Sequence, residues 1–105
     1  MVGESQDRWW HAELHRLHGE FTLALPGDHS GAAEAAFQEA IAIARAQQAK
    51  SWELRAVTSL SRLWQTKGKT GEAQQLLGEI YGWFTEGFDT ADLREAATLL
   101  AELEA

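Results

Sequence analysis

The 105-residue sequence lacks cysteine, long apolar runs and an excess of positive charge, and each absence excludes a class of structure or partner. Without cysteine there are no disulfides and no thiolate metal sites. No apolar run approaches the roughly 18 residues of a membrane-spanning helix. Nine basic residues against sixteen acidic ones give a net charge of -7, which repels phosphate backbones. We therefore expect neither a membrane nor a nucleic acid as a partner.

Proline is almost absent too, and this favours helices. Pro26 is the single proline, so long helices can run uninterrupted elsewhere. Valine, isoleucine and threonine never alternate with polar residues as they do in strands. Apolar residues still make up 45% of the chain, with five Trp and four Phe, which helps so short a chain to build a core. We expect one all-α domain over residues 1–105. Residues 1–30 have no apolar segment like that of a signal peptide, which favours a cytoplasmic location.

Apolar residues at spacings of three and four predict five helices. The first pair occupies residues 6–48, the second pair residues 51–83, and a terminal helix residues 90–104. The apolar stripe of the first helix consists of Trp10, Leu14, Leu17, Phe21 and Leu25. That of the second helix consists of Ala33, Ala36, Phe37, Ala40, Ile41 and Ala44. The stripe of the third helix is Ala56, Val57, Leu60, Leu63 and Trp64, and that of the fourth is Ala73, Leu76, Leu77, Ile80, Tyr81 and Phe84. The terminal helix has a narrow stripe, which is typical of a capping helix: Leu93, Ala96, Ala97, Leu100 and Leu103. The expected N-caps of the second, third and fourth helices are Ser30, Ser51 and Thr70. Neither helical pair could bury its stripe alone, so the pairs are expected to stack.

The aromatic segment after the fourth helix is expected to end the core. Trp83, Phe84 and Phe88 are too apolar for a solvated loop, and Gly82 and Gly87 permit a sharp turn. Packing onto the core is favoured over an aromatic ligand pocket.

The two helix pairs carry the spacing of a repeat. In the second pair the anchor residues lie at relative positions 0, 4, 13, 17 and 20: Leu60, Trp64, Ala73, Leu77 and Ile80. These are the spacings of the tetratricopeptide repeat, with Ser61 at its close helix contact. The corresponding residues of the first pair are Gly19, Ala33, Phe37 and Ala40, but the spacing from Gly19 to Ala33 is two residues longer than in the repeat, an excess assigned to the loop 26–30. The pattern predicts a short right-handed solenoid.

A closer resemblance covers residues 7–103. The phrases AELHRLHGE, SWELRA, SLSRLW and YGWFTEGFDTADL resemble the carboxy-terminal tetratricopeptide repeats of large bacterial regulators that carry an ATPase module, often with an adenylate/guanylate cyclase domain. This sequence has no Gly-rich phosphate loop and no metal-binding Asp pair. The resemblance therefore implies protein interaction and regulation, without the enzymatic activity or a cofactor.

Three histidines of the first helix offer a possible metal site. His11, His15 and His18 recur at helical spacing and could present imidazoles to one ion, as in a metal or small-molecule sensor. No HExxH pattern accompanies them, so histidines satisfied by ordinary hydrogen bonds are favoured.

The first helices of the two pairs would line the concave surface of such a solenoid. The residues placed there are Glu13, Arg16, Glu20, Arg55, Thr58 and Arg62. We expect a mixed-charge groove for a peptide or helix, in which Arg binds carboxylates. The alternative is a solvated face of weak ion pairs.

Trp9 and Trp10 are adjacent, so they cannot both point into one core. We expect a homodimer through this helix, against the alternative of one buried Trp and one lying on the surface. Glu53, Glu72, Glu79 and Glu86 are interpreted as helix-surface carboxylates rather than acid-base pairs. The sequence as a whole predicts a non-enzymatic interaction scaffold.

Overall fold

A computed structural model describes residues 9–84 and 90–104, in which all regular secondary structure is α-helical and there are no strands. The described residues form five helices. Their bounds are α1 Trp9–Ala24, α2 Ser30–Ala46, α3 Lys50–Thr66, α4 Thr70–Trp83 and α5 Ala91–Glu104. None of them is long and apolar enough to cross a membrane. The predicted all-α fold of about five helices is confirmed.

The helices form two layers. In one layer α3 lies between α1 and α5 and contacts both, and in the other layer α2 covers the α1–α3 seam and α4 the α3–α5 seam. Side-chain contacts run in the same order along α3 and α5: Arg55 with Asp92, Arg62 with Glu95, and Gln65 with Glu102. These two helices are therefore parallel, and contacts of Glu13 with Arg55 and of Arg16 with Ser59 give α1 the same direction. The thickness of 19 Å agrees with two stacked helix layers.

The helix ends explain how the chain reverses between layers. After α3, Gly68 takes a φ of 82°, its N–H donates to the Gln65 carbonyl, and the Lys69 N–H donates to the Trp64 carbonyl. This is a Schellman motif, and it ends α3. The same pair of bonds closes α2, but there Gln48 occupies the left-handed position, with a φ of 56°.

Fewer helix N-termini are capped by a side chain than the sequence predicts. Ser30, predicted as a cap, is the first residue of α2 and donates its hydroxyl to Asp28. Ser51 and Thr70 lie inside the first turns of α3 and α4, and the capping positions have no side-chain bond. Thr90 does cap α5, because its Oγ1 accepts the N–H of Leu93 at 3.2 Å.

The core lies between the layers and uses the stripes predicted for the second to fourth helices. All six residues of the α2 stripe are buried: Ala33, Ala36, Phe37, Ala40, Ile41 and Ala44. Val57 and Leu60 of α3 and Leu77 of α4 belong to the same core cluster. In α5 the prediction is wrong by one position, because Leu99 is buried whereas the predicted Leu100 is only partly buried. Alanines let neighbouring helices approach closely, and the large side chains fill the space between them.

The apolar stripe of α1 points away from the body of the protein, which corrects the expectation that stacking buries it. Leu14 is 52% exposed and Phe21 is 74% exposed. The opposite side of the helix makes the packing contacts, through Ala12, Gly19 and Thr22. At Gly19 an added Cβ would lie 2.6 Å from the Phe37 ring, so α1 rests on α2 through its smallest residue.

The aromatic segment after α4 follows the prediction only in part. Phe84 is partly buried and packs against the core, with its ring edge-on to Trp83 at 5.2 Å between centroids. Trp83 itself is 56% exposed, so the expectation that it folds onto the core is wrong. It lies instead beneath the Lys50 ammonium, 5.5 Å from the ring centroid. Phe88 lies outside the described residues.

Candidate interaction cleft

A cleft of about 280 Å³ opens on the layer formed by α1, α3 and α5. Its walls are charged and polar side chains from all three helices: Arg16, Glu20, Arg55, Thr58, Ser59, Arg62, Asp92 and Glu95. The name concave cleft is used below for this set of residues. Because the three helices run parallel, their charged positions form rows that face one another across the opening.

Arg16 and Glu13 form a bidentate ion pair at the edge of the cleft. The Arg16 Nε donates to Glu13 Oε1 at 2.9 Å, and Nη2 donates to Oε2, so the guanidinium binds the carboxylate with two bonds. The bond from Arg16 lowers the pKa of Glu13 against the opposing effect of partial burial, and the charges of Arg16 and Arg55 add to the lowering. The same pairing raises the pKa of Arg16.

Arg55 links the two outer helices of the layer. From α3 it donates Nε to Asp92 of α5 at 3.0 Å and Nη1 to Glu13 of α1 at 3.3 Å. Its guanidinium carbon also lies 5.0 Å from the centroid of the Trp52 ring, within the range of a cation–π contact. Arg55 is thereby fixed in the centre of the charged layer.

The remaining polar contacts of the concave cleft are more exposed. Ser59 donates its hydroxyl to Glu20 at 2.9 Å and accepts from Arg16 at 3.4 Å. Arg62 and Glu95 bind each other with both side chains about half exposed. A pair this open to water contributes little to stability, so a competing carboxylate could displace Glu95 at small cost.

Five of the six residues predicted for a groove line the concave cleft. They are Arg16, Glu20, Arg55, Thr58 and Arg62. Glu13 lies at its edge as the partner of Arg16 and Arg55. Thr58 is buried and its hydroxyl donates to the Leu54 carbonyl, so it shapes the floor rather than offering a free hydroxyl.

Sequence reasoning missed Ser59, Asp92 and Glu95. The last two belong to α5, which the repeat pattern assigned to a terminal cap. Had α5 been treated as the first helix of a further pair, its acidic residues would have fallen on the concave side, opposite Arg55 and Arg62. Together with Glu13 and Glu20, Asp92 and Glu95 place four carboxylates in and beside the concave cleft. The three arginines of the cleft balance three of them, so the formal charge of this set is -1.

The three histidines of α1 do not form a metal site in the structure. His11 is partly buried with its ring edge-on to Trp10 at 4.3 Å, whereas His15 and His18 are exposed. Among residues 9–84 and 90–104, no three histidine or carboxylate side chains converge as metal ligands.

Of the other residues singled out in the sequence, Glu53 departs from its interpretation. It is buried at 4% exposure and binds Arg45 at 2.9 Å and Lys50 at 3.4 Å, so it is no surface carboxylate. Glu72 and Glu79 are exposed as expected. Glu86 lies outside the described residues, as does the side chain of Trp9.

Comparison with known proteins leaves the chain without an assigned family. No family model, curated protein or solved structure matches it. The function must therefore be argued from the geometry.

Proposed function

We propose that this protein is a non-enzymatic interaction module that binds a peptide or helix of mixed charge in its concave cleft. One observation carries the proposal: three parallel helices converge their charged side chains on a single open cleft, with arginines and carboxylates facing one another. A partner segment with both a carboxylate and a cationic group could replace an internal ion pair of the cleft. Its carboxylate would bind the arginine of that pair, and its cationic group would bind the carboxylate.

The partner's carboxylate is expected at Arg62. Its present partner, Glu95, is exposed on the opposite wall, and the exposed pair contributes little stability. Displacement would free Glu95 to accept a cation from the same partner. Arg16 and Arg55 are less available, since each already binds more than one group.

The fold is proposed to be of the tetratricopeptide type, and the protein a bacterial cytoplasmic one like the regulators that its sequence resembles. Three features support the fold assignment. The first helices of successive pairs are parallel and adjacent, α2 and α4 cover the seams between them, and small residues sit at both close contacts. At the second of these contacts, the fully buried Ser61 hydroxyl lies 3.5 Å from the Ala73 carbonyl.

The proposal is tested with peptides selected from a random displayed library against the full chain. Affinity for the selected peptides is measured by calorimetry for the wild type, for Arg62→Glu and for Lys69→Glu. The second variant makes the same charge change at an exposed residue outside the concave cleft. We expect at least a tenfold loss for R62E and no loss for K69E. Unchanged affinity in R62E, or an equal loss in both variants, rejects binding in the concave cleft.

A further inference from the structure

The outer face of α1 carries the largest group of exposed apolar side chains that the described part of the chain presents. Trp10 is 42% exposed, Leu14 52%, Leu17 39% and Phe21 74%. These four residues recur at spacings of four, three and four along one side of the helix, and they are called the outer stripe below. A stripe of this kind normally packs against another helix.

Among residues 9–84 and 90–104, no side chain covers the outer stripe. An exposed apolar face of this kind is typical of an interaction site.

We propose that the outer stripe binds the outer stripe of a second copy, as an antiparallel α1–α1 pair with a twofold axis between Leu14 and Leu17. The spacing of the stripe reads the same in both directions. An axis at its midpoint therefore sets Trp10 opposite the partner's Phe21, and Leu14 opposite the partner's Leu17. Each aromatic ring meets an aromatic ring and each leucine a leucine, so one helix face complements itself.

The distribution of charge favours self-association through the outer stripe over self-association through other surfaces. A chain with a net charge of -7 repels its own copies, so self-association needs a face free of ionised groups. The ionised side chains described on α1 are Glu13, Arg16 and Glu20, and all three make ion pairs on the side of the concave cleft. The four residues of the outer stripe are themselves uncharged. Apposing two outer stripes therefore brings no like charges together.

The buried area lies at the lower limit for a weak, reversible dimer. A large aromatic side chain has about 150–250 Å² of surface, and leucine has somewhat less. Multiplied by the exposed fractions, these areas give roughly 400 Å² of exposed apolar surface per copy for the outer stripe. Two copies would bury roughly 800 Å² through the stripes alone, and the flanking side chains bring this towards the ~1,000 Å² of a specific interface. We expect a dimer that dissociates at micromolar concentrations.

This inference is independent of the proposed function, because the outer stripe and the concave cleft lie on different sides of α1. The variant Arg62→Glu is expected to dimerise as the wild type does. A variant that no longer dimerises can therefore still be tested for peptide binding, and a variant that no longer binds peptide can still be tested for dimerisation.

The test begins with the mass of the full chain by sedimentation equilibrium from low to high micromolar concentration. We expect a monomer–dimer equilibrium. Phe21→Glu should abolish the dimer, whereas Trp83→Glu, which also replaces an exposed aromatic residue with a charge, should keep it. Circular dichroism checks that both variants remain helical. A wild type that stays monomeric throughout, or equal effects of the two variants, overturns the proposal.

The antiparallel register is tested by mixing charged variants. Leu14→Glu and Leu17→Lys should each be monomeric alone, and an equimolar mixture should form a heterodimer, because Glu at 14 then faces Lys at 17 of the other chain. Leu14→Glu mixed with Leu14→Lys is the matched control, since residue 14 does not face itself in this register. Rescue in the first mixture alone supports the twofold axis. Stronger rescue in the second mixture, or none in either, overturns it.

Discussion

Gly19 of α1 lies against the ring of Phe37 of α2 so closely that no larger residue fits between them. A Cβ at position 19 would meet Cε1 of the ring at 2.6 Å and Cδ1 at 2.9 Å. Phe37 is fully buried, so its ring has no free space to move into. This contact sets the distance between the first two helices.

The first prediction is that Gly19→Ala destabilises the protein although alanine is the better helix former. Overpacking costs about 1–3 kcal/mol, and the gain in helix propensity offsets about 1 kcal/mol of it. Urea unfolding should show a net loss. The control is Gly78→Ala in α4, where an added Cβ meets nothing within 4 Å, and a gain of up to about 1 kcal/mol is expected. Equal gains in both variants would contradict the close contact.

The second prediction concerns the Schellman motif at the end of α2. Gln48 holds a φ of 56°, a conformation that costs a residue with a side chain roughly 1 kcal/mol more than glycine. Gln48→Gly should therefore raise the free energy of unfolding by about that amount, measured by thermal and urea unfolding. Gly68→Gln, the reverse change at the matching position after α3, should lower it. A loss of stability in Q48G would show that the Gln48 side chain contributes more than its backbone strain costs.

The third prediction is an acid-sensitive contribution of Glu13. Its pKa is lowered in the folded protein, chiefly by the hydrogen bond from Arg16, below the ordinary value of 4.5. A lowered folded-state pKa stabilises the protein above the unfolded-state value, and this stability is lost as pH falls through the folded-state value. Glu13→Gln should thus be less stable than the wild type at neutral pH, and the difference should shrink in acid. A difference that stays constant with pH would remove the electrostatic explanation.

The fourth prediction compares two phenylalanines that differ in exposure. Phe37→Ala should cost about 3–5 kcal/mol because it opens a cavity between α1, α2 and α3. Phe21→Ala should change the stability of the monomer by about 0.5 kcal/mol or less, since its ring is 74% exposed. Unfolding is measured at a protein concentration below that of any dimer. A large loss in F21A would mean that the outer stripe of α1 packs inward.

The sequence predicted the buried faces of α2, α3 and α4 well because these faces carry large or repeated apolar residues, whereas in α5 Leu99 is buried in place of the predicted Leu100. The α2 stripe from Ala33 to Ala44 is buried as expected, and so are Leu60 and Leu77. In α1 the same reasoning failed. Periodicity shows that one face of a helix is apolar but not which molecule covers it. Hydrophobicity did not mark Gly19, on the face that does pack; the repeat spacing placed this residue at the close helix contact that the structure shows.

The part of the concave cleft that α1 and α3 form could be predicted from the sequence, because the pairing of the helices could be predicted. Placing α1 and α3 side by side brought Arg16, Arg55 and Arg62 onto one surface, as the structure does. The contribution of α5 was missed because a narrow apolar stripe suggested a cap. Which side chains pair also lay beyond the sequence, because it depends on the relative shift of parallel helices, as in the bond from Arg55 to Asp92.

Residue-resolved NMR of the full chain with a library-selected peptide tests the central claim most directly. Chemical-shift changes on titration would locate the peptide on the surface, without any substitution. Binding in the concave cleft predicts changes concentrated in α1, α3 and α5, around Arg16, Arg55 and Arg62. Changes confined to α2 and α4, or to the outer stripe of α1, would contradict it.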